Sequence, residues 1–173
     1  MQSSKVLERT SSMFEDVSVF EKIVRSASRW TYVESPPSAP IHPFDVRNIH
    51  PFLPNDVKIL FDNGHYSQST FEAFKFVDTE VARIAASSGS GYNLMMAAFS
   101  DTKPLIMLTP CVTTTDKDEQ RGFQFLFAGA VVAIRNPRGH KHSVHDSPDE
   151  CLDHLGLASL LLRRIQAAGF NLS

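Results

Sequence analysis

"DKDEQRGFQFLFAGAVVAIRNP", residues 116–137, decides the fold. After Gly122 it is apolar almost all round, so a helix here is central and buried. Thr115 or Asp116 offers an N-cap, with Asp118 or Glu119 three positions on. Pro137 ends the helix and forces Asn136 out of the α region. Overlapping its end, "AIRNPRGHKHSVHD" (133–146) gathers three of the seven histidines and two arginines, with no acid before Asp146. A chain of net charge −2 thus sets its densest basic cluster at the end of a buried-looking segment.

Working outward, "SPDE" opens the last helix, with Ser147 as N-cap, Pro148 at N1 and Glu150 completing a capping box. Leu152, Leu155, Ala158, Leu162 and Ile165 form its buried face and Gly169 its end. Upstream, "NDVKILFDNG" is a short helix stopped by Gly64. "HYSQSTFEAFKFVDTEVARIAASSG" carries a helical stripe of Phe71, Phe74, Val77, Val81 and Ile84, closed by Gly89. "YNLMMAAFS" is a further short helix. "PLIMLTPCVTTT", rich in β-branched residues, predicts a short β-hairpin near 104–115. "ESPPSAPIHPFDVRNIHPFLP" holds six of the ten prolines and reads as an extended connector. Ahead of it, Met13, Val17, Phe20 and Val24 share one face of an amphipathic helix that fades near Trp30 and Tyr32. No internal repeat is visible. The expectation is an all-α protein of four to five main helices, with residues 1–40 an N-terminal helix and connector and 41–173 the helical domain.

At 173 residues the chain is long enough for one core plus an extension. No global basic excess advertises nucleic acid, so such binding rests on a local patch. Cys111 and Cys151 form no disulfide framework or metal spacing, as in a cytoplasmic protein. The N-terminal residues lack the apolar core of a secretory signal, and no apolar run reaches about 18 residues, so no membrane span is expected.

The cluster itself contains Arg135, Asn136, Pro137, Arg138, Gly139 and His140. On an unbroken helix Arg135 and His140 diverge by about 140°. A break at Pro137 and Gly139 brings both to one mouth. Histidine transfers protons near neutral pH, and arginine offers a planar fork to phosphate oxygens. Together they supply a minimum for phosphodiester cleavage. Two other readings stay open. The basic residues complement the helix dipole as a solvated cap, or His140, His142 and His145 hold a metal as HxHxxH.

Three stretches resemble the HEPN superfamily, in its Ymh-type branch of small prokaryotic proteins. They are "LFDNGHYSQSTFEAFK" (60–75), "EQRGFQFLFAGAVVAIRNPRGH" (119–140) and "LGLASLLLRRI" (155–165), and the likeness covers most of residues 41–167. The resemblance implies a HEPN-like helical bundle, commonly dimeric, and often an RNA-cutting toxin or phage-defence nuclease that needs no metal or other cofactor. Its motif, Arg, a polar residue, three variable positions and His, falls on Arg135, Asn136 and His140. By that likeness His140 moves the proton of the ribose 2′-hydroxyl or the leaving 5′-oxygen. Arg135 stabilises the phosphate, Asn136 orients it, and the product is a 2′,3′-cyclic phosphate. Two copies of the motif meet across a homodimer. Some toxin members carry a modified tyrosine two places after the histidine. His142 stands there instead, which weakens that antitoxin pairing and leaves any defence-system partner undefined. Arg138, Lys141 and His142 are candidate RNA contacts. The alternative is a non-catalytic HEPN module binding RNA, a nucleotide or a protein partner.

Elsewhere, His65 and Tyr66 close an interhelical turn, or lie beside the motif. Glu72 and Lys75 form an ion pair. Gln120 and Gln124 suit a polar interface, and Glu119 a cap. Arg47 to His50 is connector chemistry. Arg163 and Arg164 suit a helix C-terminus or an RNA-facing rim.

Overall fold

The computed structural model describes residues 17–27, 40–140 and 144–173; it is all-α, with no strand among them. The chain divides after Ile41 into two compact units. In the first, residues 17–27 form helix α1, with Val17, Phe20 and Val24 at helical spacing on one face. Met13, Trp30 and Tyr32 lie outside the described residues.

The second unit opens on a strap rather than a fully extended connector. Pro43–Val46 makes one helical turn, α2, because Pro43 sits at its first position and the His42 imidazole caps it. The strap also contains a repeat too short for a search by longer periods: Ile-His-Pro-Phe at 41–44 and again at 49–52. Next come α3 (Asn55–Asp62) and α4 (Tyr66–Ile84). Between them Gly64 takes φ +78°, a left-handed conformation that glycine adopts without a Cβ penalty. At the far end α4 stops at Ile84, short of Gly89; there Ala86 takes the left-handed turn instead, with φ +49°. Helix α5 (Gly91–Ala98) follows, its first N–H held by the Asp78 carboxylate at 2.7 Å.

The central helix α6 runs Thr114–Ala130. Its cap is Thr113 in a capping box with Asp116, ahead of the expected Thr115 or Asp116. Glu119, freed from capping, reaches Arg164 at 2.6 Å. The last main helix, α8 (Pro148–Ala167), has the expected Ser147–Glu150 capping box. Its Leu152, Leu155, Ala158, Leu162 and Ile165 are all buried.

No hairpin forms at 104–115. Ile106 and Leu108 each insert singly into the core, with no strand opposite to bond their backbone. The missing ladder is replaced by one side chain. Gln120 on α6, fully buried, donates to the carbonyls of Phe99 (3.2 Å) and Ile106 (2.9 Å) and accepts from the N–H of Leu108 (2.9 Å). Backbone groups taken from water must be bonded, and a buried amide does this for a loop as a neighbouring strand would. Gln124 likewise donates to Met96 O at 2.6 Å, so both glutamines face inward rather than toward an interface.

Helix α4, not α6, is the hub. It packs against α3, α5 and α8 and against the end of the central helix. The core holds Phe74, Phe99, Phe127, Met95 and Leu155, each fully enclosed, with Phe99 and Phe127 stacked 4.1 Å apart. The expectation that α6 is enclosed on every side is corrected. Phe125 is 57 % exposed, and Leu126, Val132, Gly122, Gly129 and Ala133 are exposed with it. These positions recur at three- and four-residue steps and form one apolar stripe along the helix.

Candidate functional site at the end of the central helix

Pro137 does not stop the helix. Residues Val131–Arg135 widen into a π-helical turn, and Asn136–His140 continue as a short helix, α7. The N–H of Asn136 reaches back to Val131 O, five residues away, and Asn136 itself is helical at φ −63°, ψ −43°. A proline in a regular helix removes one bond and drives its ring against the carbonyl four residues before. The wider turn relieves that clash. Arg138 then donates from Nη1 to Ile134 O at 2.8 Å, satisfying a carbonyl beside the distortion. The expected break is therefore absent. On a helix continued through Pro137 the Arg135 and His140 positions lie about 140° apart around the axis.

Arg135, Asn136, Arg138 and His140 all fall within the described residues. His140 is exposed at the end of α7. Arg135 is half-buried. Its guanidinium lies 5.7 Å from the centre of the Phe71 ring on α4, and Nη1 makes a long 3.4 Å bond to Asn136 Oδ1. Its Nε is buried without a hydrogen-bond partner, and no carboxylate among the described residues pairs with it. Lys141 and His142 lie outside the described residues. Gly139 is required by close approach: a Cβ there would sit 2.9 Å from Phe71 Cε2. One ring thus organises both Arg135 and Gly139.

Arg138 is not a solvent-facing cation. Its side chain is 8 % exposed and that of Asp146 4 %. Nε donates to Asp146 Oδ2 at 2.7 Å, and Nη2 bonds both Asp146 Oδ1 and His154 Nδ1. Ser67 Oγ accepts from the Asp146 N–H at 2.8 Å and donates to Val144 O at 2.9 Å. Residues 144–146 are thereby tied to the first turn of α4. Burial alone would raise the Asp146 carboxyl, but the hydrogen bonds and charge of Arg138 outweigh it and hold the group below the ordinary carboxylate value. Burial, and then the charge of Arg138, hold His154 below the ordinary imidazole value.

Beside this pair His65, Tyr66, Ser67 and Gln68 face Val144 and His145 across a cleft of about 230 Å³. Tyr66 packs edge-on against Phe61 at 5.2 Å, and the His65 N–H closes the turn onto Leu60 O at 2.8 Å. The other secondary residues are structural. Glu72 and Lys75 pair at 3.0 Å on α4. Arg47 pairs with Asp153 at 3.0 Å, Arg163 bonds Asn48 O, and Arg164 lies over Phe123 while holding Leu108 O and Glu119. Burial pushes the Cys151 thiol up, as for an inert core cysteine. Among the described residues no three metal-ligating side chains converge. Also among them, no helix is long and apolar enough to cross a membrane.

Sequence reasoning placed Arg135, Asn136 and His140 in the motif but missed Phe71, Ser67 and Asp146. Phe71 belonged to a stripe that periodicity assigns to the core. Asp146 did carry a signal, as the first acid after two arginines.

These features define a helical-bundle protein whose central helix bears an exposed apolar stripe and ends in an arginine–histidine segment. The family model described as "Protein of unknown function (Hypoth_ymh)" matches residues 47–165, and the chain belongs to that family. The chain matches no curated protein and no solved structure.

Proposed function

We propose that this protein is a metal-independent endoribonuclease of the HEPN type, working as a homodimer in a toxin or defence role. The observation that carries the reading is Arg135: a half-buried guanidinium with one long hydrogen bond, an unpartnered Nε and no carboxylate. A cation taken partly out of water is costly until an anion meets it. Phosphate suits its planar fork. His140, exposed and five residues on, is the proton-transfer group for the ribose 2′-hydroxyl or the leaving 5′-oxygen. Arg135 stabilises the charge that develops on the phosphate, Asn136 orients it, and a 2′,3′-cyclic phosphate results.

The homodimer answers the divergence of Arg135 and His140 on one α7. A second copy brings a second motif, so the two groups combine across the interface. The stripe of Phe125, Leu126, Gly129 and Val132 runs along α6 toward Arg135, and a second copy packed on its Arg135 end with matching direction would bring its motif beside the first. Arg138, held by Asp146, fixes the turn that presents Arg135 rather than touching RNA itself.

The test is incubation of purified protein with total RNA in the presence of a chelator, beside His140→Ala and Arg135→Ala. Cleavage by the wild type, with 2′,3′-cyclic ends, and its loss in both variants is the expected result. Equal inertness of all three with retained RNA binding would make the protein a binding module. Cleavage abolished by the chelator would assign it to metal chemistry instead.

A further inference from the structure

The two Ile-His-Pro-Phe copies fold alike. In each, proline removes its own N–H and fixes φ, so the next available N–H, that of the phenylalanine, turns back onto histidine Nδ1. The distances are 3.1 Å for Phe44 to His42 and 3.2 Å for Phe52 to His50. An Nδ1 that accepts leaves the proton on Nε2, and each Nε2 donates to a distant residue. Here the copies part. His42 Nε2 meets a carboxylate, Asp62 Oδ1, at 2.7 Å, and Lys58 holds the other oxygen at 2.8 Å. His50 Nε2 meets a neutral amide, Gln166 Oε1 on α8, at 2.8 Å. His50 is also the buried one, 4 % exposed, with its backbone N–H on Ser159 Oγ at 2.9 Å.

We infer that the strap, residues 42–54, is an acid-released clasp: its His50 end detaches from α8 on protonation while its His42 end stays fastened to Asp62. Protonation puts a hydrogen on Nδ1, where the phenylalanine N–H already points. At His42 the loss is offset because the new charge faces the Asp62 carboxylate. At His50 no carboxylate is bonded. The charges around it are Arg163 on α8, with Lys58 of α3 and Asp45 of the strap lining the same cavity. Burial is the main effect and the Arg163 charge adds to it; the Gln166 bond opposes both, and the outcome is an imidazole below its ordinary value. An unfolded histidine takes a proton near pH ~6.5, so the clasp's contribution is complete above that pH and is lost as pH falls through the lower folded value. The Asp62 carboxylate, bonded first by Lys58 and then by His42, is held below its ordinary value and persists to lower pH.

Hydrogen exchange on the full chain, corrected for intrinsic rates, tests this at pH 7.5 and pH 5. Segment 49–53 is expected to lose about tenfold or more in protection at the lower pH, with 42–47 unchanged. His50→Asn keeps an acceptor near the Nδ1 position and does not titrate, so its protection should not vary with pH. Gln166→Glu, at an exposed position on α8, gives His50 a carboxylate like that of His42 and should keep segment 49–53 protected at pH 5. Unchanged protection in the wild type overturns the inference. So does a wild-type loss that persists in Gln166→Glu, which remains decisive even where His50→Asn does not fold.

Discussion

Arg135 and Arg138 stand three residues apart, yet the fold uses them in opposite ways. Arg138 is bonded on all sides by Asp146, Ile134 O and His154, whereas Arg135 rests on an aromatic ring with donors to spare. Removing one partner of a buried ion pair leaves the other charge uncompensated, at a cost of about 3–5 kcal/mol. Asp146→Ala is therefore expected to lower the unfolding free energy, extrapolated from urea titrations, by that order. Because the folded Asp146 carboxyl lies below its ordinary value, the wild type keeps this stabilisation above pH ~4 and loses it as pH falls through the folded value. A stability profile measured against pH should show that acid loss in the wild type and lack it in Asp146→Ala. The two arginines are indistinguishable by residue type, and the sequence offered both as phosphate contacts. Burial decided between them, and burial depends on Asp146 and Ser67 arriving from elsewhere in the chain.

At the level of elements, the junction from α6 through the π-helical turn to α7 packs along α4, and its tightest approach there is Gly139 on Phe71. Gly139→Ala would place a methyl 2.9 Å from the ring, so the ring must shift and the Arg135 stack with it. Overpacking of this kind costs about 1–3 kcal/mol. Phe71→Leu in the same chain makes room. The double variant should recover the unfolding midpoint but not RNA cleavage, since the platform for Arg135 is gone. Recovery of both would show that Phe71 acts only as filler. Most helices were legible at this scale: the Ser147–Glu150 box, the Gly64 stop and the α8 stripe are local patterns with local causes. The hairpin expected at 104–115 failed because β-branched content says nothing of a partner. A single buried amide, Gln120, satisfied that backbone from a helix.

For the whole molecule, the exposed stripe on α6 is the feature that one chain leaves unfinished. Phe125→Glu changes a 57 % exposed side chain and should alter monomer stability by no more than about 0.5 kcal/mol. On the proposed function, sedimentation should show a dimer for the wild type and a monomer for Phe125→Glu, with RNA cleavage lost together with assembly. A wild type that sediments as a monomer would remove the stripe from the functional argument. Periodicity and capping residues determined most of the helices, the start of α8, the Gly64 stop and the position of the arginine–histidine segment, because those depend on neighbours within a turn or two. Only tertiary packing decided that α4 is the hub, that one face of α6 stays open, that Pro137 is absorbed by a widened turn, and that Arg138 is neutralised while Arg135 is not. Each of those outcomes depends on which distant side chain fills the space beside a residue, and hydrophobicity along the chain carries no record of it.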